Sequence, residues 1–197
     1  NFPTDPGVQL KSDEEIHSQY LDYQFRPYKN IYATIGGRND KHTTAGDEQS
    51  YRATTAYNLG KNSKIRASYG TGFIFPTLYE GHKYEWTNTA VLEEVVAEKS
   101  TSFDIGYETF FENLNLGFNI TYFDIEVEDP IVGWTFEQEN GKGNNTSRGI
   151  ELATNWNNKE NLDITLAYTA TDSYSGMDCD DPARDAFGYK KCRDGNN

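Results

Sequence analysis

Residues 100–129 read STSFDIGYETFFENLNLGFNITYFDIEVED, and their spacing decides the fold. Every second residue from Phe103 gives Phe103, Ile105, Tyr107, Thr109 and Phe111, with Asp104, Gly106, Glu108 and Phe110 between them. After the polar break Glu112-Asn113-Leu114-Asn115 the alternation resumes as Leu116, Phe118, Ile120 and Tyr122, interleaved with Gly117, Asn119, Thr121 and Phe123. Strand side chains point to opposite faces with period two, so each arm is a strand with one apolar, aromatic face and one mostly polar face. The four-residue break joins them as a hairpin. Whether the apolar face meets a protein core or a lipid bilayer is decided by the rest of the chain.

The same alternation recurs outward from this hairpin. It places Leu21, Tyr23 and Phe25 on one face of residues 16–26, and Ile31, Ala33 and Ile35 on one face of residues 31–40. Residues 51–59, 65–73, 150–156 and 162–170 repeat it, which makes eight strands. Short turns are expected at 26–30 (around Pro27, which cannot donate to a ladder), 60–63, 112–115 and 157–161. Longer loops are expected at 43–49, 75–99, 133–146 and from 173 onward. Short turns at one end and long loops at the other predict an all-β, antiparallel transmembrane β-barrel segment with short periplasmic turns and long extracellular loops.

Composition agrees with that fold. The chain has 197 residues, 36% hydrophobic and 14% aromatic, with a mean hydropathy of −0.81. Low hydropathy with many aromatics suits a barrel wall, where every other residue is polar. No run approaches the ~18 apolar residues of a transmembrane helix. Acidic residues outnumber basic ones 31 to 18, for a net charge of −13. That excess disfavours nucleic-acid partners, whose phosphates need basic stripes. Arg52, Arg66, Asp104, Glu108 and Glu151 all fall opposite the apolar residues, as a wet lumen allows and lipid does not. Phe103, Ile105, Tyr107, Leu116, Phe118 and Ile120 are therefore expected to contact lipid. Tyr28, Phe111 and Trp156 adjoin the short turns, where an interfacial aromatic girdle belongs.

Three segments stand in order: SYGTGFIFPTLY at 68–79, EKS at 98–100 followed by FDIGYE at 103–108, and NTSRGIE at 145–151. Together they resemble the TonB-dependent outer-membrane receptors, the family of the vitamin B12 and siderophore receptors. The resemblance covers roughly residues 16–175 and departs from the family at 88–97, where NTAVLEEVVA replaces an N-P-x-L-x-P pattern. It implies about eight strands of a larger, 22-stranded barrel. It further implies that residues 1–197 are a partial barrel domain, beginning and ending in external loops, with the plug domain and remaining strands outside it. The implied function is energy-coupled uptake of a scarce, bulky nutrient such as a ferric siderophore or a cobalamin across the outer membrane of a Gram-negative bacterium. Implied partners are membrane lipid and lipopolysaccharide, the TonB complex acting through the plug, and the nutrient. A passive porin, an enzyme on a barrel scaffold, and a soluble β-rich adhesin or glycan-binding module are the alternatives. No Ser/His or Asp/His pair in a recognisable setting supports the enzyme.

Candidate site residues lie in the long loops. Tyr79, His82, Tyr84 and Trp86 gather flat apolar area and hydrogen-bonding tips within eight residues, suited to gripping a ligand or to packing on one another. Glu80, Glu85, Glu93 and Glu94 make that loop acidic, which suits a neutral or cationic ligand better than an anionic one. Cys179 and Cys192, the two cysteines, share the terminal loop and are expected to form a structural disulfide in an oxidising compartment. Asp178, Asp180, Asp181 and Asp185 cluster around Cys179; they could offer oxygen ligands to calcium, although a solvated acidic loop is the more common reason for such a cluster. No other cofactor is expected.

Overall fold

The computed structural model describes residues 14–43, 45–77, 95–132, 139–141 and 143–176. Its strands are β1 (Ile16–Tyr28), β2 (Ile31–His42), β3 (Gly46–Asn58), β4 (Ser63–Ile74), β5 (Glu98–Phe111), β6 (Leu116–Glu128), β7 (Ile131–Val132), β8 (Glu139–Asn140), β9 (Asn145–Asn157) and β10 (Asp163–Ser175). Eight form one sheet in the order β1-β2-β3-β4-β5-β6-β9-β10, every neighbouring pair antiparallel. The small β7–β8 hairpin stands apart within the β6–β9 connection. The eight sheet strands are 12 to 14 residues long, and ~9–11 tilted residues suffice to cross a bilayer.

Register carries the alternation from strand to strand. Tyr28 pairs Ile31, which pairs Tyr57, then Ile65, Tyr107, Ile120, Leu152 and Tyr168. This Tyr/aliphatic row crosses all eight strands on a single face. Phe111, Leu116, Trp156 and Ile164 form a second row nearer the short turns. Asp104, Glu108, Arg52 and Arg66 occupy the opposite face, as the period-two reading requires.

The short turns close with local chemistry. The Asn158 carboxamide oxygen accepts backbone N–H bonds from Glu160, Asn161 and Leu162, each 3.0 Å, holding the β9–β10 turn. Asn115, in the left-handed region at φ 51°, ends the β5–β6 turn and donates its amide to the Asn157 carbonyl at 2.8 Å, tying two neighbouring turns together.

Three expectations are corrected. The chain around Pro27 is not a turn from 26 to 30: β1 runs on to Tyr28, with a register shift between Phe25 and Tyr28. A bulge there lets the strand continue past a residue with no N–H to offer. The 43–49 loop shrinks to residues 43–45, because the polar residues 46–49 pair with β2 as the start of β3. Backbone pairing does not require apolar side chains. For the same reason β6 extends through Asp124, Glu126 and Glu128, paired with β5 throughout and with β9 as far as Val127. The 133–146 loop is flanked and interrupted by the β7–β8 hairpin.

Candidate functional site

Burial in this sheet is inverted relative to a soluble protein. Among the described residues Ala97 is the one buried hydrophobic side chain, whereas Leu21, Leu166 and Tyr168 are 75%, 66% and 64% exposed. The polar residues Asp40 and Thr121 are 2% and 6% exposed. An apolar face this extensive, with no core behind it, needs a non-aqueous partner. A polar face that satisfies itself can line water.

The polar face is organised around Arg66. Its guanidinium donates from Nε to Glu108 at 3.0 Å, from Nη1 to Asp104 at 2.9 Å and from Nη2 to Thr121 Oγ1 at 2.9 Å. Ser68 donates to the other Asp104 oxygen. Lys64 pairs Glu108 at 2.9 Å, and Thr121 donates on to Asn119 at 3.0 Å. Thus β4, β5 and β6 are laced by one charge-assisted network, the stronger kind of hydrogen bond. Further along the same face Arg52 meets Asp22 at 3.2 Å and Arg38 meets Asp40 at 2.7 Å. At the short-turn end lies a cleft of about 540 Å³ lined by Lys64, Glu108, Phe110, Asn119 and Asn155 among others.

Two glycines make this lacing possible. On the rung Asp22–Gly36–Arg52 the outer side chains meet across the middle strand, and a Cβ on Gly36 would collide with the Asp22 carboxylate. On the rung Arg66–Gly106–Thr121 a Cβ on Gly106 would sit 3.1 Å from Thr121 Oγ1 and 3.2 Å from Arg66 Cζ. In both cases the missing side chain leaves the channel through which a long polar group lies flat over its neighbour.

Asp22, Arg38, Asp40, Lys64 and Thr121 were not singled out in the sequence; the alternation that marked Arg52 and Arg66 contains them all. Glu151 lies on the polar face beside Thr121 in register, as expected. Tyr79, His82, Tyr84, Trp86, Cys179, Cys192, Asp178, Asp180, Asp181 and Asp185 lie outside the described residues. Among the described residues no group of three or more His, Cys, Asp or Glu is placed to hold a metal.

An exposed aromatic belt on one face, a paired charged network on the other and strands of membrane-crossing length define a segment of transmembrane β-barrel wall. The family model for the TonB-dependent receptor-like β-barrel matches residues 2–190, and the chain belongs to that family. No curated protein sequence matches the chain. Among solved structures it is similar to the siderophore receptor PirA of Pseudomonas aeruginosa, with a TM-score of 0.72, 22% identity, and 82% of this chain aligned with 32% of that one. It is also similar to a variant of the ferric enterobactin receptor PfeA of Pseudomonas aeruginosa (TM-score 0.66, 17% identity, 80% of this chain and 26% of that one). A third is the RagAB peptide importer (TM-score 0.65, 15% identity, 80% and 22%). At these identities the likeness is one of fold. The chain spans about a fifth to a third of the length of these proteins.

Proposed function

We propose that this chain is part of the barrel wall of an outer-membrane receptor that takes up a scarce, bulky nutrient with TonB energy coupling, the plug domain lying elsewhere in the polypeptide. The observation that carries the reading is the inverted burial of an eight-stranded sheet whose family is that of TonB-dependent receptors. The apolar face meets lipid, with lipopolysaccharide at its outer rim, in the outer membrane of a Gram-negative bacterium. The loop bearing Tyr79, His82, Tyr84 and Trp86 contacts the ligand. Cys179 and Cys192 form a disulfide in the terminal loop, and Asp178, Asp180, Asp181 and Asp185 offer calcium a place there. The similar structures are named for siderophores and for peptides, so the nutrient is best sought among both, with cobalamin.

The test is transport by the full-length receptor in a host lacking its own outer-membrane iron receptors. Uptake of iron from ferric catecholates and hydroxamates, of labelled cobalamin and of labelled oligopeptides is measured with and without functional TonB. Saturable, TonB-dependent uptake of one class supports the reading. Uptake that is linear in concentration and indifferent to TonB, with steady conductance in planar bilayers, would identify a passive channel instead.

A further inference from the structure

The β3–β4 ladder is the shortest between neighbouring strands of the sheet. It has seven rungs, from Arg52–Gly70 to Asn58–Lys64, where every other has at least eleven. Toward the long loops, β3 residues 46–51 keep their pairing with β2 and β4 residues 71–74 keep theirs with β5, but the two segments do not pair with each other. Side chains join them instead. At the fork the Tyr51 N–H donates at 2.9 Å to Thr71 Oγ1, a hydroxyl standing where a ladder would offer a carbonyl. Farther out, Lys99 of β5 pairs with Glu48 of β3 at 3.1 Å. Phe75, which follows β4, packs on His42 at the end of β2 with ring centroids 4.8 Å apart, and on Phe73 at 5.1 Å. A cleft of about 440 Å³ lies at the parting, lined by Gln49, Tyr51, Phe73, Ser100 and Glu128 among others.

Lys99 and Glu48 belong to opposite faces. Alternation along β5 places Lys99 with Phe103 and Ile105, whereas register places Glu48 with Asp40 and Arg52 on the polar face. Their ion pair therefore joins the two sides of the wall at the parting. Strand rise sets the depth: Phe111, in the row nearest the short turns, is ten residues from Thr101, which pairs with Thr71 at the fork. Ten residues of strand climb ~33 Å, or about 25 Å across the membrane at a tilt of ~40°, and that is the height of the apolar band. The parting thus begins at the level of the outer-leaflet headgroups.

We propose that this parting is a lateral gate in the barrel wall, latched by Lys99 and Glu48, that connects the lumen with the outer-leaflet interface when it opens. The ladder from Arg52 to Asn58 stays closed, because backbone pairing holds it. An ion pair with Lys99 half exposed and Glu48 19% exposed is a weak bond, so the latch is easily broken and remade. The lining sets apolar Tyr51 and Phe73 beside polar Gln49 and Ser100, a combination that suits an amphiphile lying at the membrane surface. The inference does not depend on which nutrient the receptor takes up.

The experiment uses the full-length receptor in phospholipid vesicles. Lys99→Glu, which sets two carboxylates against each other, is compared with wild type and with the exchanged pair Glu48→Lys with Lys99→Glu; Lys99→Gln replaces Lys99→Glu should that variant assemble poorly. Lys41→Gln is the control, since Lys41 pairs with Asp47 at 3.4 Å across the intact β2–β3 ladder. Hydrogen exchange is followed in peptides covering 46–51 and 71–75 and in the ladder segments 53–58 and 64–69. Each protein also receives Ser100→Cys, on the polar face of the cleft, and its reaction with a maleimide-headgroup phospholipid is measured relative to a soluble maleimide, the same protein without the added cysteine serving as the blank. The expected result for Lys99→Glu is exchange at 46–51 and 71–75 at least fivefold faster, with 53–58 and 64–69 unchanged, and a lipid-to-soluble reaction ratio raised at least fivefold. The exchanged pair should restore both and Lys41→Gln should alter neither. Unchanged exchange at 46–51, or no restoration by the exchanged pair, overturns the latch. Equal acceleration at 53–58 overturns a gate confined to the parting, and faster exchange with an unchanged reaction ratio overturns lateral access.

Discussion

Arg66 on β4 and Thr121 on β6 are hydrogen-bonded at 2.9 Å although β5 runs between them. Strands flanking a common neighbour lie ~9.6 Å apart, and the guanidinium covers that distance by lying over Gly106. On the way it also binds Asp104 and Glu108 of the strand it crosses. The polar face is therefore held by bonds that run across strands as well as between adjacent ones, using a side chain whose planar fork of donors suits several acceptors at once.

Gly106→Val should break this arrangement. The new side chain occupies the space of the Arg66 guanidinium, leaving Asp104 and Glu108 with fewer partners, at a cost of about 1–3 kcal/mol. Gly117→Ala on the same face is the control, since its Cβ would meet nothing closer than 3.8 Å. Denaturant unfolding of the full receptor in vesicles measures both. Equal stability of the two variants would show that Gly106 is not needed for the crossing.

Gly36→Ala should act by the same route but more weakly. The Cβ displaces the Asp22 carboxylate and opens the pair with Arg52. Both partners are substantially solvent-exposed, so the loss should stay below about 1 kcal/mol. A double-mutant cycle with Arg52→Gln checks this: the Asp22–Arg52 coupling should be present in the parent and absent beside Gly36→Ala.

The two faces should differ sharply in tolerance. Ile105→Arg places a cation among Ala67 and Tyr122 on the apolar face and should cost about 2–4 kcal/mol, enough to impair assembly. Glu151→Gln on the polar face should leave assembly intact. Heat-modifiable mobility of outer-membrane fractions reads both; equal yields would mean that the faces are reversed.

Cys179 and Cys192 bound a 14-residue segment, and closing it should contribute about 3 kcal/mol to the loop it restrains. Mass spectrometry of the unreduced, full-length receptor should find one peptide pair linked through these residues. Two free thiols in freshly isolated protein would disprove the bond.

Tyr84→Ala combined with Trp86→Ala should weaken capture of the transported nutrient at least tenfold, about 1.4 kcal/mol. Barrel assembly should be unaffected. Unchanged affinity would reduce these aromatics to packing among the loops.

Period-two alternation is a local property, legible within each sheet strand from Leu21 in β1 to Tyr168 in β10. It determined the strands and the two faces, and with them the separation of Arg52, Arg66, Asp104 and Glu108 from Ile105 and Ile120. It failed where polarity was taken for loop, at residues 46–49, because ladder hydrogen bonds come from the backbone and do not depend on what the side chains are. Which side chains meet is a matter of register. Register sums the backbone pairing of two distant segments, and no single segment displays it. Thr121 lies 55 residues from Arg66 and Asn140 lies 44 from Val96, so the crossing over Gly106 and the hydrogen bonds between the Asn140 side chain and the Val96 backbone exist only once the strands are laid side by side.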